Sequence, residues 1–202
     1  FELFIILLLE RLDVYKNKVK DFGAVGDGLG TDDSPAFQAA IDSLYIRALV
    51  AGDKAVLHVP PGEYFLQNTL YLPPLVSLKG SGVDKTILYT DSNTSLTAYT
   101  KPVFATVNAN AQPGVYTGLA NTVPVSSQST TQARGIYVSD MTIRNSRVSA
   151  TFHLNECARS FFTNLRLEGL WTFGADFGDA SGQPGGEAVH VAFDMDGTGN
   201  AQ

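Results

Sequence analysis

The chain of 202 residues holds one cysteine, Cys157, so it cannot close an intramolecular disulfide or assemble a thiolate zinc site by itself. Its fold must rest on packing and backbone hydrogen bonds. Basic residues are scarce: 14 Lys and Arg against 20 Asp and Glu leave a formal charge of −6, the wrong sign for gripping nucleic-acid phosphates. Long apolar runs are also missing. The longest, residues 3–9, is far shorter than the roughly 20 residues of a membrane span. No basic n-region or small-residue cleavage site flanks that run, which argues against a secretory leader, and an exposed apolar stripe of this kind marks an association surface. Neither nucleic acid nor a membrane is expected as a partner.

What is present is an ordered, turn-rich composition: 44% apolar residues, 17% charged and 19 glycines, enough for one core. Residues 1–17 form an apolar association segment, followed at 18–53 by a glycine-punctuated loop and a helix. Ser34 suits the N-cap and Pro35 the first turn. Phe37, Ala40, Ile41, Leu44, Tyr45 and Ala48 recur at three- and four-residue spacing, and Gly52 stands where a helix should stop. From Lys54 to the end the period changes to two. Short alternating segments such as AVLHVPPGEYFL, GIYVSDMTIRNS and SFFTNLRLEG, bounded by Gly, Pro and Asn, predict half-buried strands and tight turns.

The strands repeat. Val138, Met141 and Ile143 match Phe162, Leu165 and Leu167 at a constant offset of 24. Leu78-Lys79-Gly80-Ser81 fits Ile143-Arg144-Asn145-Ser146 at an offset of 65, and Phe152-His153-Leu154 fits Val189-His190-Val191 at 37. A repeat in the low twenties with no helix inside it signals a β-solenoid in which each repeat is one rung. Residues 92–134 and 172–186 then read as loops thrown out between rungs, and such insertions often build a binding surface. The final segment AVHVAFDMDGTGNAQ opens a rung without a capping element, so the solenoid reads as truncated at its C-terminal end.

Asp21-Phe22-Gly23-Ala24, Gly26-Asp27-Gly28, Thr31-Asp32-Asp33 and Ala39-Ala40-Ile41-Asp42 resemble the amino-terminal signature of the pectate-lyase-like, right-handed parallel β-helix superfamily, and VLHVPPGEYFLQNTLYL is similar to its first rung. The resemblance runs from about Val19 to Gly197. It implies an all-β, right-handed parallel β-helix with an N-terminal capping α-helix, in which the signature loop is structural and catalysis lies further along the axis. A phosphate loop is excluded because no Lys follows the glycines. A calcium loop on Asp27, Asp32 and Asp33 lacks the downstream bidentate Glu, and no metal or cofactor is expected.

Members similar to this chain include polygalacturonases, polysaccharide lyases and the tailspike depolymerases of bacterial viruses. Hydrolysis of a glycan needs two carboxyl groups, one acid and one base or nucleophile. Asp194 and Asp196 alternate with Phe193 and Met195, which would set two carboxylates on one strand face; the alternative is a solvated DxDG strand end. Glu156, beside Asn155 and His153, is a third catalytic candidate, whereas Glu168 falls over Arg144 in the 24-residue register as an ion-pair partner. Trp171 and Tyr137 are candidate sugar platforms, with core packing as the rival reading. His153 and His190 take equivalent rung positions and could line one groove. The expected function is a tailspike-type protein at the virion tail surface, homotrimeric, in contact with other tail proteins, that binds and depolymerises a bacterial surface polysaccharide. The alternatives are a secreted polygalacturonase- or pectate-lyase-like enzyme and a non-catalytic glycan-binding adhesin.

Overall fold

A computed structural model describes residues 17–90, 102–107, 135–146, 150–155, 160–170 and 191–196. Within them the chain winds as a parallel β-helix with three sheet faces, after a 3-10 turn (Val19–Phe22), strand β1 (Asp27–Asp32) and helix α1 (Ser34–Ala51). The first rung is β2 (Ala55–His58), β3 (Gly62–Phe65) and β4 (Leu70–Leu72). The second is β5 (Val76–Lys79), β6 (Thr86–Tyr89) and β7 (Phe104–Thr106). In the third rung one long strand, β8 (Tyr137–Ser146), replaces the first two segments and β9 (Ala150–Asn155) follows. The fourth repeats this plan with β10 (Phe161–Leu170) and β11 (Val191–Asp196).

Every pairing is parallel. The first face stacks β2, β5 and the leading halves of β8 and β10; the second stacks β1, β3, β6 and the trailing halves; the third stacks β4, β7, β9 and β11. The corner inside β8 and β10 is made by one residue each, Asp140 (φ 61°) and Asn164 (φ 49°), the residue types that tolerate the left-handed region best after glycine. In the first two rungs the same corner takes several residues, between His58 and Gly62 and between Lys79 and Thr86.

Alternation then sorts the side chains. On the first face Leu57, Leu78, Val138 and Phe162 fall in one inward column; on the second Tyr64, Leu88, Ile143 and Leu167 do so; on the third Leu70, Phe104 and Phe152. The Phe104 and Phe152 rings stack at 5.1 Å, and Phe162 meets Phe152 edge-on at 4.9 Å. Rung stacking in register is therefore what fills the core.

Helix α1 closes one end of this core. Phe37, Ala40, Ile41, Leu44, Tyr45 and Ala48 are all buried, as their spacing predicts, and Gly52 terminates the helix in the left-handed region. The helix also satisfies an open strand edge. Gln38 accepts a hydrogen bond from Tyr71 N at 2.9 Å and donates to Tyr71 O at 3.3 Å, while the Ser34 hydroxyl accepts from Gln67 N and Asn68 N at 2.8 and 3.0 Å. The first-rung strand thus meets side chains where a further rung would have stood.

Five expectations change. Asp33 takes the N-cap position in place of Ser34, whose hydroxyl is committed to the first-rung corner. The glycine loop contains β1, which pairs with β3 and, with the Lys18–His58 bridge, forms a partial rung beneath the first. Residues 92–134 are not one loop, because buried β7 divides them into two insertions. Two registers move: Leu78 stands over Val138, not Ile143, and His153 over Asp194, not His190. The offset of 24 between β8 and β10 holds over their whole length.

Candidate functional site

Chain connections distribute unevenly around the three faces. From first to second face the turn is a single residue or a short corner. The three long connections, 91–101, 108–134 and 171–190, all begin or end at a strand of the third face. Insertions between the strands of a rigid scaffold are where such folds build binding surfaces.

Within the third face, Tyr71, Ala105, His153 and Asp194 share one register column, and Leu70, Phe104, Phe152 and Phe193 share another. Asp196 stands in register with Asn155. Two of the three carboxylate candidates and one of the two histidines therefore belong to a single face. At its α1 end lies an open cleft of about 240 Å³ lined by Gln38, Asp42, Asn68 and Tyr71, among others. Gln38 donates to Asp42 at 2.9 Å there, so the cleft wall is a fixed polar network in line with the Tyr71 column.

Tyr137 lies elsewhere, on the first face. Its ring stacks on Phe161 at 5.2 Å with 10° between planes, and the Lys54 ammonium sits 4.4 Å from its centroid and 3.1 Å from its hydroxyl. Tyr137 is 37% and Phe161 55% exposed. The sequence reading missed both Phe161 and Lys54. The signal for Phe161 was present in the 24-residue repeat: once Val138 and Phe162 point inward together, Tyr137 and Phe161 must point outward together. Lys54 precedes β2 and meets Tyr137 only through the winding of the chain. Glu156, Trp171 and His190 lie outside the described residues.

The signature carboxylates have structural work. Asp33, only 2% exposed, accepts hydrogen bonds from Val25 N and Gly26 N at 2.6 and 3.1 Å. Burial nonetheless holds its carboxyl above the usual range, with Asp27 and Asp32 adding to the upward push. Asp32 accepts from Ser34 N and Gln67 N, and Asp27 from Leu29 N. Gly26 (φ 61°) lies directly under the Tyr64 ring, where any Cβ would collide with it. Tyr64 is itself pushed up to about 12, by burial first and by Asp33 second. At the corner, the Asn164 amide donates to Asp140 at 2.7 Å and the Ser139 hydroxyl at 2.9 Å; these bonds and the Lys79 charge lower the Asp140 carboxyl. Glu168 accepts from Arg144 at 2.8 Å, the expected ion pair.

Comparison with known proteins bears on this geometry. A family model described as rhamnogalacturonase A/epimerase, pectate lyase-like, matches residues 17–172. Mannuronan C5-epimerase AlgE1 of Azotobacter vinelandii is 41% identical over 76 residues, covering 34% of this chain and 5% of that protein. The pre-neck appendage protein of Bacillus phage B103 is 30% identical over 84 residues, covering 42% and 8%. Among solved structures, pre-mature bacteriophage phi29 gene product 12 superposes with a TM-score of 0.55 at 16% identity, over 94% of this chain and 23% of that one. ORF18 of Geobacillus virus E2 gives 0.50 at 21% identity, over 78% and 26%. At these identities the structures show the shared fold. The chain spans only a small fraction of either curated relative.

Proposed function

Because the chain belongs to the rhamnogalacturonase A/epimerase, pectate lyase-like family, we propose that it is the amino-terminal part of the β-helix of a phage tail appendage that binds and cleaves a bacterial surface polysaccharide along its third face. The observation that carries this reading is that each of the three longest stretches between described strands adjoins a strand of the third face in sequence. Likeness to a phage appendage protein supports the virion location, and the family supports a glycan as ligand. In this reading the appendage is a homotrimer that contacts other tail proteins.

Asp194 and Asp196 are the proposed acid and base. Two positions along one strand are roughly 6.5–7 Å apart, a separation that suits a carboxyl pair working around a water. His153, in register with Asp194, is proposed to contact the sugar there, with Glu156, Trp171 and His190 contributing from the adjoining segments. Tyr137 stands on another face and has no part in this groove.

The test is to incubate the protein with purified surface polysaccharide of a sensitive host and follow reducing ends. Asp194→Ala and Asp196→Ala are expected to abolish release while retaining binding. Undiminished turnover in both would overturn the assignment of those two residues, and absence of binding by the unaltered protein would overturn the reading itself. A second reading is favoured by the AlgE1 similarity: the same groove would exchange the proton at C5 of a uronate without cutting the chain. Deuterium uptake from heavy water with no new reducing ends would select it.

A further inference from the structure

Helix α1 has two apolar sides. Phe37, Ile41, Leu44, Tyr45 and Ala48 face the core, yet on the outer side of its last two turns Ile46, Leu49 and Val50 stand 51%, 50% and 86% exposed. These three are neighbours on the helix surface, at i, i+3 and i+4. From Leu44 to Ala51 only Arg47 is charged. A helix that is apolar all round is ordinarily covered on every side, and an exposed apolar patch rimmed by polar residues marks an interface. Toward the N-terminus the same outer stripe runs through Ser43 and Ala39, small side chains over which a second helix can lie close. Asp42, at the edge of the stripe, is taken up by Gln38.

The chain supplies a matching stripe. Ile5, Leu8, Leu12 and Tyr15 recur at alternating three- and four-residue spacing, with Glu10 and Asp13 opposite, the pattern of a helix with one apolar side. This segment leads into Asn17, whose carbonyl oxygen accepts from His58 N at 2.7 Å, and into the 3-10 turn that packs on α1 and buries Val19 in the core. Residue 16 therefore leaves from the end of the solenoid that α1 closes.

We propose that residues 3–15 dock as a second helix along the outer side of α1, with Ile46, Leu49 and Val50 as the seat. As a helix the segment is roughly 20 Å long against about 27 Å for the 18 residues of α1, enough to cover the patch. Its tether to a fixed Asn17 makes the docking intramolecular, which favours this chain's own segment over a second copy. Two helical layers then close the solenoid end, and the apolar run serves the chain's own closure where its composition alone suggested association. This cap is independent of any glycan and stands if no polysaccharide binds.

The test is disulfide trapping in the full chain with Cys157→Ser, pairing Val50→Cys in turn with Ile5→Cys, Leu8→Cys, Leu12→Cys and Tyr15→Cys under mild oxidation. A seated helix is expected to cross-link within one chain at only one or two of the four positions, because a disulfide needs Cα atoms within about 7 Å. Equal yields at all four, the behaviour of an unseated tail, overturn the proposal, as does cross-linking at none. Cross-links formed solely between chains overturn it in favour of a second copy. Amide exchange gives a readout free of new cysteines. Residues 3–15 should be protected at every protein concentration and lose at least about tenfold of that protection in the double variant Leu49→Asp, Val50→Asp, with circular dichroism otherwise kept. Exchange there at the rate of a free peptide in the unaltered protein, or protection untouched by the double variant, overturns the docking.

Discussion

Gly80 lies where the corner of the second rung passes under that of the third, and a methyl group there would meet the Asp140 carbonyl oxygen. Backbone cannot give way as a flexible side chain can. Gly80→Ala should therefore cost about 1–3 kcal/mol, visible as a lower urea midpoint with unchanged slope. Asn164 is constrained differently, by its left-handed conformation and by its bond to Asp140. Asn164→Asp keeps the backbone preference but sets two carboxylates side by side, so the variant should melt below the parent at neutral pH and close the gap in acid, where the pair is protonated. Asp33 gives the opposite pH sign to a paired surface carboxylate. Its folded value is raised above the ordinary 3.8, so its contribution to stability is full below that pH and is lost as pH rises through the folded value. Relative to Asp33→Asn, the parent should gain stability as pH falls through that window in pH-dependent urea unfolding.

Among the elements, strand pairing was legible in the sequence only where the corner residue count stayed constant. β8 and β10 both run through their corner on one residue, so the offset of 24 predicts every pair between them. β5 and β6 are separated by a longer corner, and one offset cannot serve both: Leu78 pairs with Val138 while Ile87 pairs with Thr142. Strand β1 escaped notice because DGLGTD has one large apolar residue in six, and its pairing comes from stacking on β3, not from β propensity. Strand β7 was hidden by its three-residue length amid Thr and Ser. Helix α1 was the most legible element, since its buried stripe is its own periodicity. Its Gln38 carries a testable share of the capping. Gln38→Leu would leave the Tyr71 N–H and C=O without that partner and should destabilise by about 1–3 kcal/mol. Loss of Phe152, against which both Phe104 and Phe162 pack, should cost more: about 3–5 kcal/mol for Phe152→Ala. Arg144→Ala, breaking a pair whose side chains are 40% and 36% exposed, should cost under about 1 kcal/mol.

At the scale of the molecule, the sequence disclosed the architecture better than the site. Periodicity and repeat encode the winding directly, whereas a site on a solenoid is assembled from residues one rung apart, whose neighbours depend on the corner lengths. That is why Tyr137 was recognised without Phe161 and Lys54, and why His153 was matched with His190 when its neighbour in register is Asp194. The placing of long insertions between strands of successive faces has a further consequence, for tolerance of change. Strands β6, β7 and β8, at either side of the insertions 91–101 and 108–134, are already held in register by neighbouring rungs, so the ends of each insertion stay fixed whatever lies between. Doubling such a loop adds only about 0.6 kcal/mol of closure entropy. Whole segments can thus be exchanged there like cassettes while the winding that carries them goes undisturbed.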